Sequence, residues 1–226
     1  MHRSLKFQYR GNGGTTETTI ETLVGDFVCD AKSGEGEIIE VQIGSFGPLK
    51  KKIKNLTQTG NVRIIHPIIV QKQIELFDEN GLLLHRRKSP RKGNAWDLFK
   101  ALLYAPELPL LKNLAIELAF VDIVEKRLDD GKGSWRRKGV SIADRHLSAW
   151  RHTVVLKKPK DYNQFVPFLT NEEFTVRDMA LKANIKTALA RKTLYVLVKM
   201  GLLECIGKQG KAHVYRRSTQ CIKSKM

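Results

Sequence analysis

Cysteine is scarce in this chain, and long apolar runs do not occur. The 226 residues include three cysteines, Cys29, Cys205 and Cys221, whose odd number and wide spacing offer neither a disulfide framework nor a paired-cysteine zinc motif. No stretch reaches the roughly 20 apolar residues that span a bilayer, and the opening residues lack the apolar core of a secretion signal. We therefore expect a cytoplasmic protein with no membrane partner and no zinc site.

Acidic residues are few relative to basic ones. Lys and Arg number 40 against 23 Asp and Glu, a net charge of +17, and 42% of the residues are hydrophobic, enough for one large or two modest domains. Residues 158–226 hold 14 basic and 5 acidic residues, so this part is the more cationic. In the front part the basic residues cluster in KKKIK (50–54), RRKSPRK (86–92) and KGSWRRKG (132–139). This distribution favours a polyanionic partner.

The first 70 residues predict two strands, a helix and a third strand. Apolar and β-branched residues on both sides of SGEG (33–36) indicate a hairpin. Leu49, Ile53 and Leu56 then recur at helical spacing, and Gly60 ends that run. The apolar strand NVRIIHPIIV follows. A strand, a helix and a strand form a crossover, which predicts parallel pairing of 37–43 with 62–70.

The next segments predict further α/β elements. Asn80 and Gly81 are typical of a hairpin turn. The pattern of 95–104 predicts an amphipathic helix that stops at Pro106, and 114–128 reads as a long strand. For 141–150 we expect a helical or irregular segment. The sequence thus predicts an α/β domain over residues 1–157.

The residues after KKPKDYNQ (157–164) predict mainly helices. Thr175 is a candidate N-cap, a longer helix carries Leu189 and Leu194 on one side, and a small basic hairpin surrounds GKQGK. This order resembles a winged helix-turn-helix domain over residues 163–217, which implies duplex DNA binding. The basic side chains expected to meet phosphates are Lys186, Arg191, Lys192, Lys208, Lys211, Arg216 and Arg217.

Acidic residues come together in the predicted hairpin. Strand alternation places Glu40 and Gln42 on one face, and a turn near residues 34–36 places Asp30 almost opposite Glu40. Asp26 lies an even number of residues from Asp30, so alternation places it on the same strand face, and it is the alternative to Asp30 as the acid that faces Glu40. Two carboxylates this close destabilise each other unless a cation neutralises them, and a hard divalent ion such as Mg²⁺ prefers oxygen ligands. The competing interpretation is a solvated strand face.

The order of these features resembles the PD-(D/E)XK nuclease superfamily. An acid, a hairpin, Glu40-Val41-Gln42, a lysine-bearing helix and an apolar strand follow one another, with glutamine in place of the motif's lysine. The resemblance covers residues 15–70, and from 71 to 157 it rests on element order alone. It implies a restriction-endonuclease-like fold, a mixed sheet flanked by helices, followed here by the small winged-helix domain.

The resemblance also implies metal-assisted hydrolysis of a phosphodiester. Asp30 and Glu40 would hold Mg²⁺ or Mn²⁺, Gln42 would orient the attacking water, and Glu21 would join the site, with Glu17 in reserve. Because an amide carries no positive charge, a lysine from 50–52 or a second metal ion would replace the missing one.

Three functions follow from this sequence. The first is a metal-dependent DNA endonuclease, or a nuclease-like DNA-processing protein, that acts on duplex or branched DNA. The second is a non-enzymatic DNA-binding regulator whose degenerate nuclease domain serves as a scaffold or a homodimer surface. The third is an RNA-binding accessory protein that uses the same basic faces.

Overall fold

A computed structural model describes residues 19–218 of the chain. Its largest element is a seven-stranded mixed sheet with the strand order β1-β2-β3-β4-β6-β7, in which β5 also pairs with β4. The strands are β1 (Thr19–Val24), β2 (Phe27–Lys32), β3 (Ile38–Val41), β4 (Val62–Phe77), β5 (Leu83–Lys88), β6 (Leu114–Leu128) and β7 (Ser141–Leu156).

The start of the sheet is an antiparallel meander followed by a crossover. Ala31 pairs with Ile39 in the β2–β3 hairpin. Helix α1 (Lys50–Thr59) then connects β3 to β4, and the two strands pair in parallel over residues 38–41 and 62–65. The predicted parallel crossover is therefore confirmed, with a shorter first strand than expected. A three-residue 3₁₀ turn containing Pro48 leads into α1.

The meander contains one strand more than predicted. Gly25 adopts a left-handed conformation with φ of +56°, and Val24 pairs directly with Phe27, so Gly25 and Asp26 form a two-residue hairpin turn. The segment expected to form one strand before SGEG therefore forms β1 and β2. Asp26 lies in the exposed turn between them, four residues along the chain from Asp30.

The middle of the sheet is built from three long strands. β4 and β6 run in parallel from the pair Val62–Leu114 to the pair Phe77–Leu128, which confirms the predicted strand at 114–128. β4 continues beyond the predicted apolar strand and turns into β5, with Gly81 at φ of +84°. This confirms the hairpin turn predicted at Asn80 and Gly81.

The prediction of a helical or irregular segment at 141–150 is wrong. These residues belong to β7, which pairs antiparallel with β6 and has three register irregularities. Those irregularities interrupt the alternation of apolar and polar side chains by which a strand is detected in sequence. The pairing with β6 satisfies the backbone, and much of this outer strand is exposed, so a polar sequence is tolerated.

The sheet separates two apolar layers. On one face Ile53 and Leu56 of α1 pack in a core that also contains Ile38, Val62 and Ile64. On the other face lies a smaller cluster of buried residues, namely Ala31, Ile39, Val41, Ile65, Ala119, Val121 and Ile123. The residues predicted as one helix at 95–104 form the short helix α2 (Leu98–Ala101) between two 3₁₀ turns.

The C-terminal part forms two helices and a three-stranded sheet. Helices α3 (Val176–Lys182) and α4 (Thr187–Lys199) lie between β8 (Phe174–Thr175) and β9 (Leu203–Gln209), and β10 (Ala212–Arg217) follows. The sheet order is β8-β10-β9. Thr175 caps α3, because its side chain accepts hydrogen bonds from the amides of Arg177 and Asp178, as predicted.

The two parts share one hydrophobic core. The stretch predicted as the boundary contains a 3₁₀ helix, Pro159–Phe165, whose Tyr162 and Phe165 are buried. The Phe165 ring packs edge-on against Phe99 of α2 at 5.0 Å between ring centres, and the same core continues to Leu197 of α4. Within residues 19–218, no helix is long and apolar enough to cross a membrane.

Candidate active site and nucleic-acid interface

The acids predicted at Asp30 and Glu40 lie where β2 separates from β3. The last paired positions are Ala31 and Ile39. Beyond them the Asp30 side chain replaces a strand carbonyl, since its Oδ2 accepts a hydrogen bond from the backbone amide of Val41 at 2.8 Å. Besides burial, the negative charge of Asp30 also acts on Glu40, since it raises the pKa of that carboxyl. The two acids are therefore neighbours in space as well as in register.

Glu40 is buried beneath α1. Only 3% of the residue is exposed, so a solvated strand face at this position is ruled out. The ammonium of Lys52 lies 2.5 Å from Glu40 Oε1, and it also donates to the carbonyl of Val28 at 2.7 Å. Of the lysines at 50–52, Lys52 is thus the one whose charge reaches this carboxylate.

Burial governs the electrostatics of this site. It raises the pKa of Glu40 above the ordinary 4.5, the ion pair with Lys52 opposes that rise, and the negative charge of Asp30 adds to it. The neighbouring thiol of Cys29 responds in the same direction: burial and then the Glu40 charge raise its pKa to about 11. Cys29 is therefore a protonated core residue at neutral pH.

Gln42 supports the loop after β3. Its side-chain amide donates to the carbonyl of Ser45 at 2.7 Å, and its backbone amide donates to the carbonyl of Ile65 at 2.9 Å. Its own carbonyl accepts a hydrogen bond from His66 Nδ1 at 2.7 Å. The amide group of Gln42 is thus bonded to the loop at residues 43–46.

The remaining predicted acids lie further out. Glu21 is exposed on β1, between residues that pair with Ala31 and Cys29, so its backbone neighbours that of Asp30. Its φ of +53° is unusual for a residue with a side chain. Asp26 is in the exposed hairpin turn, and Glu17 lies outside the described residues.

The candidate ligands for a divalent metal ion at this site are the two carboxylates. Asp30 and Glu40 offer carboxylate oxygens, the ligand type that Mg²⁺ and Mn²⁺ prefer, so the residues fit such an ion in kind. Across residues 19–218 there is no group of three His, Cys, Asp or Glu side chains arranged to hold a metal. Lys52 already neutralises Glu40 Oε1, so an incoming cation would have to displace that ammonium.

A cavity of about 420 Å³ lies beyond the end of β3. Its walls come from the loop after β3, from β4, from residues 91–101 and from β6 and β7, a combination that sequence patterns did not reveal. Four cations line it, Lys72, Arg91, Lys100 and Arg145, together with two acids, Asp97 and Glu125. Lys100 forms an ion pair with Asp97.

Glu125 is the centre of a cluster of cations at this cavity. The residue is 1% exposed, and its carboxylate contacts Lys72 at 3.2 Å, Arg127 at 2.6 Å and Arg145 at 2.8 Å. Burial acts to raise the pKa of Glu125, but the hydrogen bonds from Arg145, Arg127 and Lys72 outweigh it and lower that pKa to about 2. Because three cations surround one carboxylate, the cluster has a net positive charge next to the cavity.

A wider groove of about 780 Å³ separates the segment at 90–100 from the start of α4. Five cations line it, Arg91, Lys92, Lys100, Lys186 and Lys192, against one acid, Asp97. Arg91, Lys100 and Asp97 also line the smaller cavity, so the two spaces adjoin. Together they form a cationic depression between the front and C-terminal parts.

The structure separates the predicted DNA-binding residues into two groups. Lys186 and Arg191 are exposed on and next to α4, Lys192 is half-buried beside them, and Lys208 and Lys211 are exposed at the tip of the β9–β10 hairpin. These five side chains take part in no ion pair within the described part of the chain.

Arg216 and Arg217 are engaged within the protein. Arg216 forms an ion pair with Glu204 at 2.9 Å. Arg217 donates to the carbonyls of Phe168 at 2.7 Å and Val166 at 2.5 Å. Both arginines therefore hold the C-terminal part together, because their donors are directed at protein acceptors.

Comparison with known proteins establishes the family. The chain belongs to the family described as a domain of unknown function (DUF8091), whose model matches residues 1–157. It is also similar to an uncharacterized protein of Treponema pallidum (strain Nichols), with 25% identity over 217 residues that cover 96% of this chain and 84% of the relative. No solved structure matches the chain.

Proposed function

We propose that this protein is a nuclease-like DNA-processing protein whose front part hydrolyses phosphodiester bonds with a divalent metal ion and whose C-terminal part binds duplex DNA. The observation that carries the proposal is the pairing of Asp30 with the buried Glu40 where two strands diverge, next to the ammonium of Lys52. The cationic depression between the front and C-terminal parts supplies a surface for a polyanion.

The order of elements supports the nuclease part of this proposal. The resemblance to PD-(D/E)XK nucleases rests on an acid, a hairpin, Glu40-Val41-Gln42, a lysine-bearing helix and an apolar strand. The β2–β3 hairpin, α1 and the parallel strand β4 follow one another in this order. That resemblance assigns the acids to the two strands of the hairpin, and Asp30 and Glu40 lie in its strands β2 and β3. Lys52 from α1 would take the position in space of the motif's missing lysine, with Gln42 supporting the adjacent loop.

Asp30 and Glu40 would hold the metal ion, Mg²⁺ or Mn²⁺. When bound, such an ion lowers the pKa of a coordinated water and shields the charge that develops on phosphorus. Lys52 would release Glu40 Oε1 and become available to a phosphate oxygen, which supplies the positive charge that Gln42 lacks. Burial of Glu40 beneath α1 keeps bulk water from this carboxylate.

The C-terminal arrangement supports binding of duplex DNA. Two helices between the first and second strands of a small sheet, with a terminal basic hairpin, match the element order of a winged helix-turn-helix domain. In such domains the second helix enters the major groove and the hairpin contacts the backbone. Here the second helix is α4, and the hairpin tip carries Lys208 and Lys211.

A plasmid-nicking assay tests the hydrolytic activity. We expect the full chain to nick supercoiled plasmid in the presence of Mg²⁺ or Mn²⁺ and to lose the activity in EDTA. Asp30→Asn and Glu40→Gln should each lower the rate by about 10²-fold or more, because each removes a charged oxygen ligand from the site. Asp26→Asn, an isosteric change in the exposed turn, serves as the matched control and should nick as the wild type does.

A second candidate is the DNA-binding regulator with a degenerate nuclease domain. It is favoured by the ion pair that engages Glu40 Oε1 and by the lack of a three-residue metal group in the described chain. The same assay separates the two functions. Tight DNA binding with equal, background nicking by wild type, Asp30→Asn and Glu40→Gln would favour the regulator and exclude the nuclease.

A further inference from the structure

One edge of β4 is open over a short distance. β3 pairs with residues 62–65 of β4, and β5 pairs with residues 73–77. Among residues 19–218, a segment of the chain crosses this edge, where the amide of Gly93 donates to the carbonyl of Ile69 at 2.7 Å and that of Ser89 to the carbonyl of Lys72 at 2.8 Å. The cavity of about 420 Å³ occupies this gap in the sheet.

Part of the wall of this cavity is apolar. Pro67, Ile68 and Ile123 are buried and Ile69 is half-buried, and all four line the space. Its volume lies in the range of about 300–1,000 Å³ that is usual for small-molecule sites, which suits one nucleotide. Apolar side chains of this kind bind the faces of an unstacked base.

A buried hydrogen-bond acceptor also lines the cavity. His66 is 5% exposed, and its Nδ1 must carry the proton because the carbonyl of Gln42 can only accept. Burial lowers the pKa of His66, so the ring is neutral and its Nε2 is an acceptor. No hydrogen bond among the described residues uses this Nε2, which leaves it for a base N–H or a sugar hydroxyl of a ligand.

The cations at the rim of the cavity lead into the wider groove. Arg91 and Lys100 line both spaces, and Lys186 and Lys192 line the groove beyond them. Arg91 has no ion-pair partner among residues 19–218 and is exposed. A strand with one nucleotide in the cavity would therefore pass its phosphates along a cationic surface toward α4.

We propose that the cavity at the β4 gap binds one unpaired nucleotide of a nucleic-acid strand, with Arg91 and Lys100 contacting the adjacent phosphates. The substrate class is then a nucleic acid with a single-stranded end or overhang joined to a duplex. This inference rests on the nucleic-acid binding proposed above and does not depend on hydrolysis.

Fluorescence anisotropy with the full chain in EDTA tests the proposal. The probes are a blunt DNA duplex and the same duplex with a short single-stranded overhang, at one fixed ionic strength because salt alters every affinity for DNA. We expect the overhang to be bound about tenfold more tightly, as one base held between apolar side chains would give. A competition arm with dAMP measures whether a free nucleotide is an equally good ligand.

Gly44→Leu fills the cavity with little risk to folding. Gly44 lines the cavity, and a Cβ there would meet only Gln42 Nε2, at 4.0 Å. Gly60→Leu is the matched control, because Gly60 lies after α1 at an extended φ of 176° and a Cβ there meets nothing within 4 Å. We expect Gly44→Leu to abolish the overhang preference while the affinity for blunt duplex stays unchanged, and Gly60→Leu to keep the preference.

Each result decides the proposal. Equal wild-type affinity for both probes overturns it, and so does an overhang preference that survives Gly44→Leu. Binding of dAMP as tight as that of the overhang probe also overturns it, because the cavity would then belong to a free nucleotide. An overhang preference lost in Gly44→Leu without any plasmid nicking supports the cavity site and rejects only the hydrolysis, whereas nicking without the preference rejects only the cavity site.

Discussion

The ion pair between Lys52 and Glu40 allows a quantitative prediction. Lys52→Met removes the ammonium and keeps an apolar stem of similar length. Glu40 is 3% exposed, and the substitution leaves its carboxylate beneath α1 without a cation. In the folded variant, Glu40 can be in either of two states: a buried carboxylate without a cation, or a protonated, neutral carboxyl. We expect the less costly of the two at each pH.

The magnitude follows from these two alternatives. Breaking a buried pair by removing one partner costs about 3–5 kcal/mol. Protonation costs about 1.4 kcal/mol for each pH unit above the ordinary pKa of 4.5, hence at most about 5 kcal/mol at about pH 8 and about 0.7 kcal/mol at about pH 5. The lost hydrogen bond to Val28 adds about 1 kcal/mol at any pH. We predict a loss of about 4–6 kcal/mol at about pH 8 that shrinks to about 1–2 kcal/mol at about pH 5.

The direction of this pH dependence follows from the sign of the pKa shift. In the folded protein the pKa of Glu40 is raised above 4.5, and a carboxyl of this kind lowers stability as the pH rises above the unfolded value. Loss of Lys52 raises the folded pKa further, because the ion pair was acting to lower it. The deficit of the variant therefore opens above the raised pKa that Glu40 has in the wild-type fold, and it widens as the pH rises further.

Urea unfolding followed by tryptophan fluorescence measures the deficit at both pH values. Lys51→Met, an exposed lysine on the same helix, is the control and should change stability by less than about 0.5 kcal/mol. Adding Glu40→Gln to Lys52→Met should recover most of the loss at alkaline pH, since a neutral amide replaces the charge. A deficit that is independent of pH, or that Glu40→Gln does not relieve, would refute the reasoning.

Two further predictions concern the other charged sites. The pKa of Glu125 is lowered to about 2, so the stability that its charge contributes is present above pH 4.5 and disappears as the pH falls toward 2. In urea unfolding, Glu125→Gln should therefore lower the free energy of unfolding by about 2–4 kcal/mol near neutral pH and leave it unchanged near pH 2. An equal deficit at both pH values would contradict this. Replacing Lys208 and Lys211 by Ala should lower the salt dependence of duplex binding by about 0.9 for each DNA phosphate that these lysines neutralise, measured by anisotropy over a salt series. Lys51→Ala should leave that slope unchanged.

Sequence patterns predicted the crossover and the neighbourhood of the two acids. Ile53 and Leu56 mark the buried side of α1 by their spacing, and the helix length requires a parallel return of the chain. The short SGEG turn brings Asp30 next to Glu40 because a hairpin fixes register over a few residues. These are local properties, which a single sequence expresses directly.

The same patterns failed where the contacts are distant. β7 was missed because its register irregularities and its exposure remove the alternation of a strand. The cavity was missed because His66, Arg91 and Arg145 come from three separate segments and meet only at a gap between β3 and β5. Sequence patterns also gave no sign that Arg217, a predicted DNA contact, donates to carbonyls about fifty residues away in the chain.

The sequence by itself determined the positive charge, the periodicity of α1 and the turn that places two acids side by side, since composition and short-range geometry suffice for each. Only the tertiary structure decided that Glu40 is buried, that Lys52 among three neighbouring lysines reaches it, and that cations from distant segments line one depression. Burial and pairing depend on how helix and sheet pack across the chain, and that packing sets which charge each carboxylate meets.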